Sequence, residues 1–479
     1  MATPQKPTQK KSSQKNLGSP IVKRIVTTEK KSKKVNRRLT SLFAITILFS
    51  ITSVIVGFAW VSFLYLFQPQ QVVWINKLLP QWAKIDVNVS EAQTLAQIEA
   101  DLSKLGLHKG EVLPLNHDAD SFLLSVYKKR ANCQFDCQEI IELRVYQQAN
   151  DSELLSESEK YYNLTTQVAV AGPEESFVIA PLVNTTNENP GSSISLPLTE
   201  IKRLDGNTSS GIWYCLLGRR QEGIFNISYG HIFYYNPARY HIQQLISWTS
   251  PKGELPEWQQ VTGNNTKELV INQTTALEPQ LQVYQVKSVK TFLNPVELDE
   301  IRLQPPAFKD SAYEKALVMA RSGLWTPAYD WLKIIKKRKK NIPPQAQAQI
   351  DLIRLHSQIS KTQADTTWAS PGQQVLANLI DGRWSKALEV FKATSPQNSR
   401  EIGALLKTDS GRLWSRLEAA LLVNSNRPEV QAWGALILAA QYGDTRAYLW
   451  LKQEFQDKQI NLTEISSLLK KLKGFETVI

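Results

Sequence analysis

The chain has 479 residues, enough for two or three domains each with its own core, and a formal charge of +12. Residues 1–40 hold twelve of its 56 Lys and Arg and a single acid, Glu29, leaving 44 basic against 43 acidic side chains in the remainder. The basicity belongs to a tail and not to a domain, so no nucleic acid is expected as a partner.

That tail (1–40), rich in Lys, Ser, Thr and Gln, has too little apolar surface to fold and is expected to be disordered. From Ser41 to Phe67 follow 27 residues without a charge. A helix rising ~1.5 Å per residue crosses the ~30 Å hydrocarbon core in about 20 residues, so 41–67 is predicted to span a membrane. Phe58, Trp60, Phe63, Tyr65 and Phe67 crowd its far end, where aromatic rings favour the interface. KKSKKVNRR precedes the run, whereas Lys77 and Lys84 are the only bases between it and Asp86. The positive-inside bias then leaves the tail in the cytoplasm and the bulk on the periplasmic or lumenal side. A cleaved signal peptide would have a shorter apolar core and a small-residue cleavage site. Lipid is thus an expected partner, through Ser41–Phe67 and the basic tail.

Residues 68–89 form a juxtamembrane linker whose Val73, Trp74, Leu78, Leu79 and Trp82 suit a membrane surface as well as a plain connection. A capping box at Ser90–Gln93 predicts a helix with Leu95, Ile98, Leu102 and Leu105 on one face, ended by Gly106. Two strands follow at 122–127 and 140–147. In the second, Ile141, Leu143 and Val145 alternate with Glu142 and Arg144, as in a half-buried strand. Between them stand Cys133 and Cys137. In an oxidising compartment a bridge closing this hairpin is worth roughly 2 kcal/mol, and a disulfide is the expectation, with two ordinary thiols as the alternative. Zinc would need two further ligands, and no His lies within ten residues of C-x3-C. Cys215, in WYCLL, reads as a small buried hydrophobe.

From about 160 to 291, short β-rich runs (VAVA, FVIAPLV, SISLPL, GIWYCLL, GIFNISYGHIFYY, ELVINQ, LQVYQV) alternate with Gly, Pro, Asn and Asp clusters. That spacing predicts an antiparallel sandwich or barrel, so 90–304 is read as one extracytoplasmic domain, mixed α/β and then β-rich. The texture becomes helical at about Pro305. In 305–479 the segments SGLWTPAYDWLKII and DGRWSKALEVFKAT superpose: Gly323, Trp325, Ala328 and Leu332 recur as Gly382, Trp384, Ala387 and Phe391. This pattern resembles the second half of a tetratricopeptide repeat, in which the turn glycine lets two helices approach and the other three residues pack between neighbours. The resemblance implies a helical repeat domain that presents a surface to a protein partner. It departs from the family in spacing, about 60 residues instead of 34. A third segment, YGDTRAYLWLKQEF, keeps Gly443 but shifts its alanine, Ala447, by one position. Trp331, Trp414, Trp433 and Trp450 would share the core or line a concave face. Farther upstream, KLGLHKG, the C-x3-C and IELRVYQ resemble cyanobacterial single-pass membrane proteins of unknown function. That likeness implies an envelope or thylakoid location.

Chemistry is hard to find. The five His residues (108, 117, 231, 241, 356) are too scattered for a helical metal site, and HDAD at 117–120 reads better as a turn than as a ligand set. No nucleophile elbow, phosphate loop or dinucleotide fingerprint is present. Neither a catalytic residue nor a cofactor is therefore assigned. The run from Lys333 to Lys340 complements a helix C-terminus. The expected architecture is multidomain α+β: one N-terminal transmembrane helix, a β domain and a C-terminal helical domain serving protein contact. The competing expectation is a carbohydrate-binding module or hydrolase in the β domain, with Trp213, Tyr214, Tyr229, Phe233, Tyr234 and Tyr235 as its aromatic platform.

Overall fold

The structure, a computed structural model, describes residues 52–53, 55–60, 63 and 92–479, apart from 116–119, 132–136, 150–159, 184–190, 207–210, 264–265, 292, 340, 410, 455–461 and 475–479. The chain divides into two units, Met1–Val89 and Ser90–Ile479. In the first, residues 52, 53, 55–60 and 63 are helical, and Ile55, Val56, Phe58, Trp60 and Phe63 are exposed. Among the described residues no helix is long and apolar enough to cross a membrane. Most of 41–67, the whole tail and the 68–89 linker lie outside the described residues.

The second unit opens with β1 (Gln93–Thr94) and α1 (Leu95–Lys104). The cap is Thr94, four residues beyond the expected Ser90: its side chain accepts from Gln97 N–H while the Gln97 side chain accepts from Thr94 N–H. Gln93 and Thr94 cannot be helical because they pair with Tyr162 and Tyr161 of β5. Both candidate boxes match the capping pattern, and strand pairing decides between them.

Five strands, β1, β2 (Leu107–Pro114), β3 (Ser121–Lys129), β4 (Gln138–Gln148) and β5 (Tyr161–Ala169), form the first sheet, in the order β1-β5-β4-β3-β2. Side chains alternate across it. Phe122, Leu124 and Val126 meet Ile98 and Leu102 of α1 on one face, while Leu123, Leu143 and Val145 point to the other. The strand at 140–147 is therefore covered on both sides, where a half-buried strand was expected. Its Glu142 is buried yet accepts from the Arg144 guanidinium at 2.9 Å.

The second sheet, β6 (Glu200–Arg203), β7 (Ile212–Glu222), β8 (Phe225–Asn236) and β9 (His241–Ser250), is ordered as in the sequence. Ile212, Tyr214 and Leu216 pack on the first sheet, and Trp213, Cys215 and Leu217 pack on a third. That third sheet is β10 (Glu257–Gln259), β11 (Glu268–Asn272), β12 (Leu281–Ser288) and β13 (Val296–Glu300). The β region is thus a stack of three open antiparallel sheets among the described residues, and the centre of its middle sheet is covered on both faces. This explains why IWYCLL is apolar at every position, a pattern expected of strands buried on both sides. FVIAPLV is not a strand: it forms α2 (Glu175–Ile179) and a 3-10 turn at Ala180–Leu182, tied to β9 by Thr249 Oγ1 donating to Val178 O at 3.0 Å. SISLPL is irregular except for an isolated bridge at Ser195.

The helical region runs α3 (Ser311–Arg321), α4 (Trp325–Arg338), α5 (Pro344–Asp365), α6 (Pro371–Ile380), α7 (Trp384–Ala393), α8 (Pro396–Thr408), α9 (Arg412–Val423), α10 (Pro428–Tyr442), α11 (Asp444–Glu454) and α12 (Leu462–Leu472). One continuous core joins them, with α10 apolar on nearly every side because helices surround it. The third sheet meets α5 directly: Val270, Val283 and Ile301 pack with Ala348 and Leu352. Two polar contacts fix this junction. The Leu281 N–H donates to His356 Nε2 at 2.8 Å, and the guanidinium of Arg416 in α9, 2% exposed, grips both carboxylate oxygens of Glu278.

Candidate partner-binding groove

The repeat residues occupy three helix pairs. Gly323 (φ +88°), Gly382 (φ +78°) and Gly443 (φ +86°) turn α3 into α4, α6 into α7 and α10 into α11, in backbone conformations that favour glycine. Ala328, Leu332, Ala387, Phe391, Trp384 and Ala447 are buried. Trp325 differs from Trp384: it is half-buried and stacks on the His356 ring at 4.0 Å. Close packing adds a second demand at Gly323, where a Cβ would stand 2.5 Å from Arg416 Nη2. The Lys-rich run ends α4, with Lys333 on Asp330 at 2.6 Å and Lys339 on Asp310 at 3.1 Å.

Most groups capable of chemistry are engaged in holding the fold. The carbonyls of Ala171 and Leu352 can only accept, so His231 donates from Nε2 to the first and His356 from Nδ1 to the second. The opposite nitrogens accept, from Gln244 Nε2 at 3.1 Å in His231 and from Leu281 N–H at 2.8 Å in His356, so both imidazoles are neutral. Burial holds the His231 pKa below its ordinary value and depresses that of His356 to about 4. The buried Asp381 carboxylate receives Thr326 Oγ1 at 2.5 Å, Ser360 Oγ at 2.8 Å and Arg383 Nε at 2.6 Å, joining α4, α5 and the α6–α7 turn. Among the described residues no cluster of His, Cys, Asp and Glu could hold a metal. Cys133 and residues 117–119 lie outside the described residues, so the disulfide remains an expectation. Cys215 is buried between the second and third sheets, and burial pushes its thiol pKa well up.

A groove of about 650 Å³ runs between α3, α9 and α11, with Val318, Leu417, Leu421 and Leu422 along it and Trp414 and Trp450 at one corner. The two indoles meet edge to face, their centroids 5.5 Å apart. Trp414 Nε1 donates to Glu418 Oε1 at 2.8 Å, which fixes the half-buried ring. Gly434 of α10 makes room for Trp450, since a Cβ there would lie 2.4 Å from the ring. Leu422 remains 65% exposed, and Tyr448 and Leu449 of α11 are exposed as well. The groove's charges are Arg321, Glu418 and Glu454, all exposed.

Of the four further tryptophans, Trp433 is core and donates to Trp384 O at 3.0 Å, and Trp331 packs partly buried against the same core. Trp450 floors the groove and Trp414 walls it. Leu422 and Glu418 were not singled out by sequence. Their signal is that α9 is apolar on two faces: Leu413, Leu417 and Ala420 point inward while Trp414, Leu421 and Leu422 do not. The six aromatics of the expected sugar platform, by contrast, are all buried in the sheet stack and show no ring face to solvent. No protein-family model matches the chain, and no curated protein matches it.

Proposed function

We propose that this chain is a membrane-tethered protein-interaction protein whose helical region receives a partner in the α3–α9–α11 groove. The observation that carries the reading is Leu422, a large apolar side chain left open in a groove that two packed indoles also line, in a region whose other large apolar groups are mostly buried. Binding hot spots are enriched in Trp, and binding clefts are lined by apolar and aromatic side chains with a few placed polar groups. The tether is supported by the charge pattern around 41–67 and by the exposed Ile55, Val56, Phe58, Trp60 and Phe63. On this topology the groove faces the periplasm or lumen, and the anchor confines its encounters to the membrane plane.

The test is affinity purification of the full chain from solubilised membranes, set beside its Leu422→Ser variant. A discrete partner retained by the parent and lost by the variant, with unchanged circular dichroism, is the expected result. An identical set of co-purifying proteins for both would remove the groove from the account. A reporter fused after Ile479 should be active only outside the cytoplasm, and activity inside would reverse the topology.

A further inference from the structure

Resting on that reading, we propose that the groove recognises a protein segment carrying a Lys or Arg beside a bulky apolar side chain, with the cation seated against Trp414 between Glu418 and Glu454. Glu418 lies one helical turn from both Trp414 and Leu422, and Glu454 lies one turn beyond Trp450, so both carboxylates line the groove that holds the indole pair. A cation over an indole face is attracted by the ring quadrupole, and nearby carboxylates add charge complementarity. The Trp414 N–H is already committed to Glu418, which aligns the ring and leaves that carboxylate further lone pairs for an incoming donor. Arg321, on the α3 wall of the groove, would repel a second cation beside it. Leu422 and Leu421 would hold the neighbouring apolar side chain. An acidic segment meets the opposite field at the indole corner.

The experiment is selection of a displayed random peptide library on the full chain in detergent, followed by affinity measurement of one enriched peptide and its Lys/Arg→Glu counterpart. Enriched sequences should pair Lys or Arg with a large apolar residue, and the Glu counterpart should bind roughly tenfold or more weakly. The Glu418→Gln/Glu454→Gln double variant, altered only at exposed positions, should lose that preference while still binding the apolar anchor. Leu422→Ser should lose the anchor. Enrichment without cations, or a preference that survives in the double variant, overturns the proposed ligand chemistry but leaves the groove as a docking surface. Binding unaffected by Leu422→Ser, or no enrichment at all, overturns the docking function itself.

Discussion

The sheet stack and the helical region use aromatic side chains in opposite ways. In the stack, Trp213, Tyr214, Tyr229, Phe233, Tyr234 and Tyr235 fill the two interfaces of a middle sheet whose centre is covered on both faces. In the helices, Trp384 and Trp433 form the core, while Trp414 stands half-open in the groove that Leu422 also lines. A stack of sheets must bury both faces of its central layer, so the aromatic rings there are committed to packing. A helix surrounded on only some sides can leave one strip free. Aromatic richness alone therefore does not locate a binding surface; the number of covered faces does.

Four changes would break or sharpen this contrast, beginning with the core that keeps the groove in shape. Trp384→Ala removes a fully buried indole and should destabilise the helical region by about 3–5 kcal/mol, read as loss of helical circular dichroism at lower denaturant. A loss under about 1 kcal/mol would mean that the repeat-like pairs do not share one core.

The pH dependence follows from His356. Its folded pKa of about 4 lies below the ordinary 6.5, so between these values the unfolded chain binds more protons than the folded one. Stability contributed by the neutral ring is complete above pH 6.5 and declines as pH falls towards 4, by about 3 kcal/mol in all. His356→Asn should flatten this slope in denaturant melts. Some slope should persist, because burial lowers the His231 pKa in the same direction. An unchanged slope would place the titrating group elsewhere.

Arg416→Met should cost about 2 kcal/mol, since it leaves Glu278 facing an apolar partner at the junction, and Glu278 retains some solvent to soften the loss. Adding Glu278→Leu should recover most of it, and a double-mutant cycle with no coupling would deny that this pair docks the third sheet on the helices. The smallest effect on stability belongs to Leu422→Ser. At an exposed site it should change the unfolding free energy by less than about 0.5 kcal/mol while removing partner binding.

How much of this was legible in the sequence depended on whether a pattern was local. The turn glycines at 323 and 382, with Ala328 and Ala387 at fixed offsets, mark helix pairs because the requirement is local. β13 (VELDE) and β10 (EWQ) did not stand out, because such short polar strands exist only through pairing with β12 and β11. FVIAPLV misled because periodicity cannot separate a short apolar strand from a short buried helix. The half-buried pattern of 140–147 hid a second covering layer, since a paired Glu142–Arg144 stays polar even when enclosed. The groove was half legible. Trp414 and Trp450 were visible as candidates for a core or a face, but only the three-dimensional placement of α3 and α11 shows that Leu422 has no cover.

The central claim, that contact belongs to the helices and not to the sheets, is tested most directly by site-specific photocrosslinking in intact membranes. A photoreactive residue would be placed at position 422 in the groove or at Ile224, the exposed apolar tip of the β7–β8 turn. The account predicts a discrete adduct from position 422 and none from 224. A discrete adduct from 224 with none from 422 would contradict it.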